Sequence, residues 1–157
     1  MSIDHLQDLE MLKMAFGYCS VTSRRLLVHM EKYLYRINFA KGILEWRKKI
    51  HKHLRLLLRA LPLQTPTETE LKQLQKIQVS LFDANHCPGV VSFLNQGHAS
   101  AIFYTGDLGA EPWSVNSLVQ NAYILPYSCG LKTFDCIYLD TSFASHNHVY
   151  KTFPSKG

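Results

Sequence analysis

The sequence predicts an α/β chain, with a helical, basic first half followed by a second half of short strands that end in polar loops. Two observations carry this expectation. Before residue 62, apolar side chains recur at three- and four-residue steps, the period of a helix buried on one face. From Ile77 onward they come instead in short β-branched and aromatic runs bounded by turn formers. With 157 residues, 46% hydrophobic and 18% charged, the chain can build one modest core and not two substantial ones.

In chain order, the periodicity predicts a first helix over Arg24 to Tyr35 and a second over Glu45 to Leu61. In the second, Trp46, Ile50, Leu54, Leu57, Leu58 and Leu61 make one stripe, with basic residues, His51 and His53 around the remainder. Pro62 ends it, because proline lacks the N–H that the next helical turn would use. The following stretch, with Pro62 and Pro66, reads as a connector, and Thr67 or Thr69 is placed to cap a short helix over Glu70 to Lys76. Strands are then expected at Ile77 to Phe82, Val90 to Leu94, Ala101 to Thr105 and Cys136 to Asp140. Asn95, Gln96 and Gly97 supply turn chemistry, so the second and third of these form a hairpin. The tail after His146 is expected to fray.

Composition narrows the class. The four cysteines, Cys19, Cys87, Cys129 and Cys136, form no C-x-x-C pair, which points away from a disulfide framework and from a cysteine zinc knuckle. No window holds the ~18 uninterrupted apolar residues of a membrane span, and the first ten residues lack the basic and apolar regions of a secretory signal. The chain therefore reads as intracellular, with no membrane partner. Its net charge of +5 is concentrated in one place. Between Lys41 and Arg59, seven cations (Lys41, Arg47, Lys48, Lys49, Lys52, Arg55 and Arg59) face one acid, Glu45. A basic face is usually solvated surface, but the same charges can contact phosphates and release their counterions.

The residues that carry chemistry lie where strands give way to loops. Asp83-Ala84-Asn85-His86-Cys87-Pro88-Gly89 directly follows a strand, and Thr105-Gly106-Asp107 follows another. A histidine and a carboxylate thus leave separate strands at one end of the sheet, which is how an α/β scaffold collects metal ligands from distant parts of a chain. Neutral imidazole and carboxylate are zinc ligands, and a carboxylate can bridge two ions through its two oxygens. Taken singly, a loop histidine is more often a hydrogen-bonding residue and T-G-D more often a turn.

The ordered set DANHCPG, YTGD and YLDTSF resembles the motifs of the DNA cross-link repair branch of the β-CASP metallo-β-lactamase nucleases, closest to fungal members. The stretch from Tyr18 to Glu45 resembles the segment that separates the first metal motif from DANHCPG in that family, so the likeness covers nearly the whole chain. The resemblance implies a partial metallo-β-lactamase αββα sandwich over 1–145, with a basic helical segment at about 41–61. Residues 146–157 would be a tail at the start of a missing β-CASP region. It further implies that His86 ligates the first of two zinc ions, that Asp107 bridges both, and that Asp140 is an acidic residue acting on protons near the metals. Asp4 and His5 match the D-H that ligates the second zinc.

The chain departs from the family at three points. Ser2 stands where the second histidine of H-x-H-x-D-H belongs, and the first would precede Met1. Asp8 replaces a turn glycine, and Gly109 replaces an arginine that usually follows T-G-D-x. The domain would then lack its start and its β-CASP cap. The implied activity is zinc-dependent hydrolysis of DNA phosphodiesters in the nucleus, as a 5′-to-3′ exonuclease on single-stranded or broken ends, in interstrand cross-link or end-joining repair alongside other repair factors. The alternative is a catalytically inactive piece of such a nuclease that binds DNA through Arg47, Lys48, Lys49, Lys52, Arg55 and Arg59. A small-thioester or lactam hydrolase on the same scaffold fits less well, because those relatives lack the YLDTSF match.

Overall fold

A computed structural model describes residues 9, 16–32, 48–49, 51–72 and 75–142. The chain divides into two compact units, Ser2–Leu61 and Pro62–Gly157 together with Met1.

In the first unit, strand β1 (Gly17–Ser20) leads directly into helix α1 (Val21–His29). Ser20 makes that transition possible. Its backbone is extended while its hydroxyl accepts a 3.0 Å hydrogen bond from the Ser23 N–H, one of the donors a helix start leaves unpaired. Two short strands, β2 (Glu31–Lys32) and β3 (Lys48–Lys49), pair antiparallel, and a 3-10 turn over Lys52–Arg55 precedes β4 (Leu58–Leu61), which pairs parallel with β1. The described part of the expected helix over Glu45 to Leu61 therefore holds a 3-10 turn between two strands and no α-helix. Of its apolar stripe, Leu54, Leu58 and Leu61 are buried all the same, and Leu54 and Leu58 form a core with Cys19 and Leu27. The ladder to β1 decides the outcome: leucine, arginine and alanine favour a helix intrinsically, but propensity is a weak preference that tertiary pairing overrides. The first helix likewise stops at His29, short of the expected Tyr35, where Met30 turns extended and the chain enters β2. Burial pushes the Cys19 thiol above its ordinary pKa, against the opposing pull of the Arg24 charge.

The basic patch is divided among these elements. Lys48 and Lys49 sit in β3, while Lys52, Arg55 and Arg59 are exposed. The Arg59 guanidinium lies 3.9 Å from the Phe16 ring centroid, a cation–π contact that fixes its direction. Arg24 Nη2 donates to the Arg55 carbonyl at 2.9 Å and ties α1 to the 3-10 turn. Arg47 lies outside the described residues, as do Lys41 and Trp46.

The second unit is a five-stranded sheet in the order β5 (Thr67–Lys72), β6 (Gln75–Asp83), β7 (Val91–Gln96), β8 (Ala101–Tyr104), β9 (Cys136–Tyr138). Neighbours are antiparallel except β8 and β9, which run parallel. The expected short helix over Glu70 to Lys76 is replaced by β5 and the start of β6. Along β5, Thr69 points inward while Glu68 and Glu70 are exposed, a two-residue period that outweighs the capping pattern. Glu68 pairs with Lys76 across the strands at 3.3 Å, on an exposed surface where such a pair contributes little. The four strands expected downstream of Ile77 are all present, and β7 and β8 form the expected hairpin. Its turn begins two residues later than expected, at Gly97, because Asn95 and Gln96 remain in β7.

Two helices, α2 (Pro112–Val119) and α3 (Leu125–Ser128), pack on one face of this sheet. Phe82, Leu94, Phe103 and Ile124 are buried there with Leu118, Tyr127 and Phe134 against them. The Tyr127 and Phe134 rings stack at 4.0 Å between centroids. No helix among the described residues is long and apolar enough to cross a membrane.

Candidate active site

Strand direction places the motifs. Because β6 and β8 both run antiparallel to β7, and β9 runs parallel to β8, the chain leaves β6, β8 and β9 at the same edge of the sheet. His86, Asp107 and Asp140 follow these three exits. Their loops are also bonded to one another, as a catalytic constellation requires of its supports.

The first loop turns sharply. Asp83 Oδ1 accepts the Asn85 N–H at 2.7 Å, and Asn85 takes the left-handed conformation with φ 52°, which asparagine tolerates better than most residues. Ala84 and Asn85 then dock on the second loop. Gly109 N donates to the Ala84 carbonyl at 2.8 Å, and Asn85 Nδ2 lies 3.0 Å from the Gly109 carbonyl and 3.2 Å from Glu111 Oε1. The approach leaves no room for a side chain at position 109, since a Cβ there would overlap the Asn85 carbonyl oxygen. This accounts for glycine in place of the arginine that the family pattern has at this point. Gly106, with φ 61°, makes the turn that carries Asp107, and a Cβ there would crowd the Val91 carbonyl.

The third loop is held by the second. Thr105 N donates to the Tyr138 carbonyl at 3.0 Å, and the Asp140 N–H donates to Thr105 Oγ1 at 3.1 Å. Thr105 itself is buried, and its carbonyl accepts from Ser92 Oγ at 2.7 Å, which anchors the junction to β7.

Asp140 is exposed, and its Oδ1 accepts from Ser142 Oγ at 2.6 Å and from the Ser142 N–H at 2.9 Å. The Ser142 hydroxyl and backbone bonds, with the Leu108 N–H and the charge of His86, hold its carboxyl below the ordinary carboxylate value, outweighing the small effect of burial. A depressed folded value means that this loop contact contributes in full above the unfolded pKa and fades as pH falls through the lower folded one. Asp140 is thus a charged hydrogen-bond acceptor near neutrality.

His86 is exposed and Asp107 half-buried. Imidazole nitrogen and carboxylate oxygen suit zinc, but they are two donors where zinc takes four. Among the described residues no group of three or more His, Cys, Asp and Glu side chains could hold a metal ion. Asp4 and His5 lie outside the described residues. The donor types fit the metal, whereas the described donors alone do not complete a site. Sequence reasoning missed Asn85, Thr105 and Glu111, whose part is to fix one loop to another, and Trp113, which donates to Glu111.

No protein-family model matches the chain. Curated relatives do. It is 30% identical to Protein artemis of Rattus norvegicus over 141 residues, 86% of this chain and 17% of that protein. The human Protein artemis matches at the same identity and coverage. The 5′ exonuclease Apollo of Mus musculus is 40% identical over 68 residues, 43% of this chain and 11% of that protein. The chain thus spans about a sixth of the artemis proteins it matches. Fold and loops define a mixed α/β protein whose polar motifs gather at one edge of a sheet. The chain belongs to the family of Artemis and Apollo, the β-CASP metallo-β-lactamase nucleases.

Proposed function

We propose that this chain supplies active-site elements of a zinc-dependent DNA nuclease that works in the nucleus, in interstrand cross-link or end-joining repair. The observation that supports this reading best is the meeting of the His86, Asp107 and Asp140 loops at one sheet edge, bonded through Gly109, Asn85 and Thr105. The domain over 1–145 would be part of an αββα metallo-β-lactamase sandwich, with 146–157 opening a β-CASP region.

In this reading His86 and Asp107 are zinc ligands, and Asp4 and His5 are assigned as ligands from the sequence motif alone. Zinc, when bound, supplies a Lewis acid and lowers the pKa of water toward ~7. Asp140, its carboxyl held below the ordinary value, stays negatively charged and accepts hydrogen bonds from Ser142. Lys52, Arg55 and Arg59 offer exposed charge for DNA phosphates, and Arg47, Lys48 and Lys49 join them in this reading from the sequence run alone. The substrate would be single-stranded DNA or broken ends, degraded from the 5′ side.

Purified chain supplied with zinc is expected to shorten 5′-phosphorylated single strands from the 5′ end and to stop when a chelator is added. Zinc bound without cleavage, or no zinc at all, overturns the reading for this chain. Ser2, where the family motif has a histidine, favours a second reading in which the chain binds DNA without cutting it. Binding that persists with chelator and falls steeply with salt, with no cleavage, would support that reading.

A further inference from the structure

Beside the first motif loop lies a cleft of about 180 Å³, lined among others by Gln64, Asp83, Trp113, Ser114, Ser117 and Asn121. We propose that this cleft is a nucleobase subsite in which Trp113 stacks on one base of a single strand. The proposal rests on the nuclease reading above for the presence of a DNA strand at this edge.

Three observations carry it. First, Trp113 leaves 48% of its surface exposed, yet its edge is tethered. Indole Nε1 donates to Glu111 Oε2 at 3.1 Å, and Glu111 Oε1 lies 3.2 Å from Asn85 Nδ2, in the residue before His86. Pro112 at the first position of α2 fixes the backbone from which the ring projects. The ring is therefore held at a set position relative to the metal motif while much of its surface meets solvent. An aromatic platform already ordered before binding loses little freedom when a flat partner stacks on it.

Second, the cleft has the wrong charge for a phosphate. Asp83 lines it, the Glu111 carboxylate stands at the Trp113 edge, and neither Lys nor Arg is among its lining residues. A neutral ring avoids that repulsion. Third, the remaining polar groups are amides and hydroxyls, those of Gln64, Asn121, Ser114 and Ser117, which can both donate and accept. Every base presents donors and acceptors at its edge and a π face, so such a site is tolerant of sequence. The volume is below the ~300 Å³ at which pockets for drug-sized ligands begin, and it suits one ring system rather than a whole nucleotide.

The test uses the full chain with Trp46→Phe, so that Trp113, the other of the two tryptophans, is the sole indole emitter. A single-stranded oligothymidylate is expected to change Trp113 emission saturably, whereas an abasic oligonucleotide of equal length and inorganic polyphosphate leave it unchanged. Trp113→Ala is expected to weaken oligothymidylate binding by about 5- to 150-fold, the range that stacking of one base on an aromatic side chain supplies, and Trp113→Phe by less. The emission measurement needs no substitution at Trp113, so it stands even where Trp113→Ala misfolds. Oligothymidylate that binds without altering Trp113 emission, or with unchanged affinity for Trp113→Ala, overturns the subsite. The two readings fail separately. Cleavage with a silent Trp113 refutes the subsite alone, and a base-dependent Trp113 response without cleavage supports the subsite while refuting the nuclease.

Discussion

Asp107→Asn is expected to cut DNA cleavage by at least about 100-fold and to lower zinc content. Asparagine keeps the size of the side chain but removes its charge and one of the two carboxylate oxygens through which it would bridge two ions. Even outer-shell partners of a metal cost 10- to 100-fold when removed, so a bridging ligand should exceed that range. Asp107 is half-buried and sits just beyond the β8 strand end, in a turn set by Gly106. The substitution leaves that backbone alone, so with zinc removed from both proteins by a chelator its thermal unfolding should match the parent. Paired measurements of cleavage rate and zinc content on the two proteins check this, and equal rates would remove Asp107 from the chemistry.

Gly109→Ala is expected to destabilise the protein by about 1–3 kcal/mol, the usual cost of forcing extra atoms into a filled space. The added methyl has nowhere to go, because the neighbour it meets is the Asn85 backbone carbonyl and not the movable end of a side chain. To admit it, the Asn85 loop must withdraw and give up the bonds from Gly109 N to Ala84 and from Asn85 Nδ2 to the Gly109 carbonyl. His86 would move with that loop. Gly109→Arg, which puts back the residue of the family pattern, should be no better tolerated. At Gly97 the nearest atom to an added methyl is the rotatable Ser100 hydroxyl, so Gly97→Ala is a suitable control with a smaller loss. Chemical denaturation of the three variants ranks them, and a Gly109→Ala protein as stable as Gly97→Ala would refute the close packing of the two loops.

Legibility in the sequence followed how local each signal was. The strands from Ile77 onward could be read because their β-branched and aromatic runs are bounded by turn formers, and the motifs fell at strand exits as expected. The run Leu54 to Leu61 could not be read in this way. Its leucines satisfy both a helical stripe and a buried strand, and the choice was made by pairing with Gly17–Ser20, some forty residues away in sequence. The error at Glu70 to Lys76 was avoidable, since Thr67, Glu68, Thr69 and Glu70 alternate in polarity and β-branching as a strand does. Helix α2 was not anticipated, although Pro112 after Glu111 is a usual helix start. In the site, His86, Asp107 and Asp140 were legible as motif residues. Asn85, Thr105 and Gly109 were not, because each acts on the backbone of another loop, and only the assembled sheet edge brings those loops together.

The most direct test of the account is the zinc content of the purified full chain, measured by elemental analysis beside His86→Ala. If the three loops belong to the two-metal centre of their family, the parent should carry close to two zinc ions per chain and His86→Ala distinctly fewer. A parent chain that carries no zinc, or a His86→Ala variant that keeps the full complement, would contradict it.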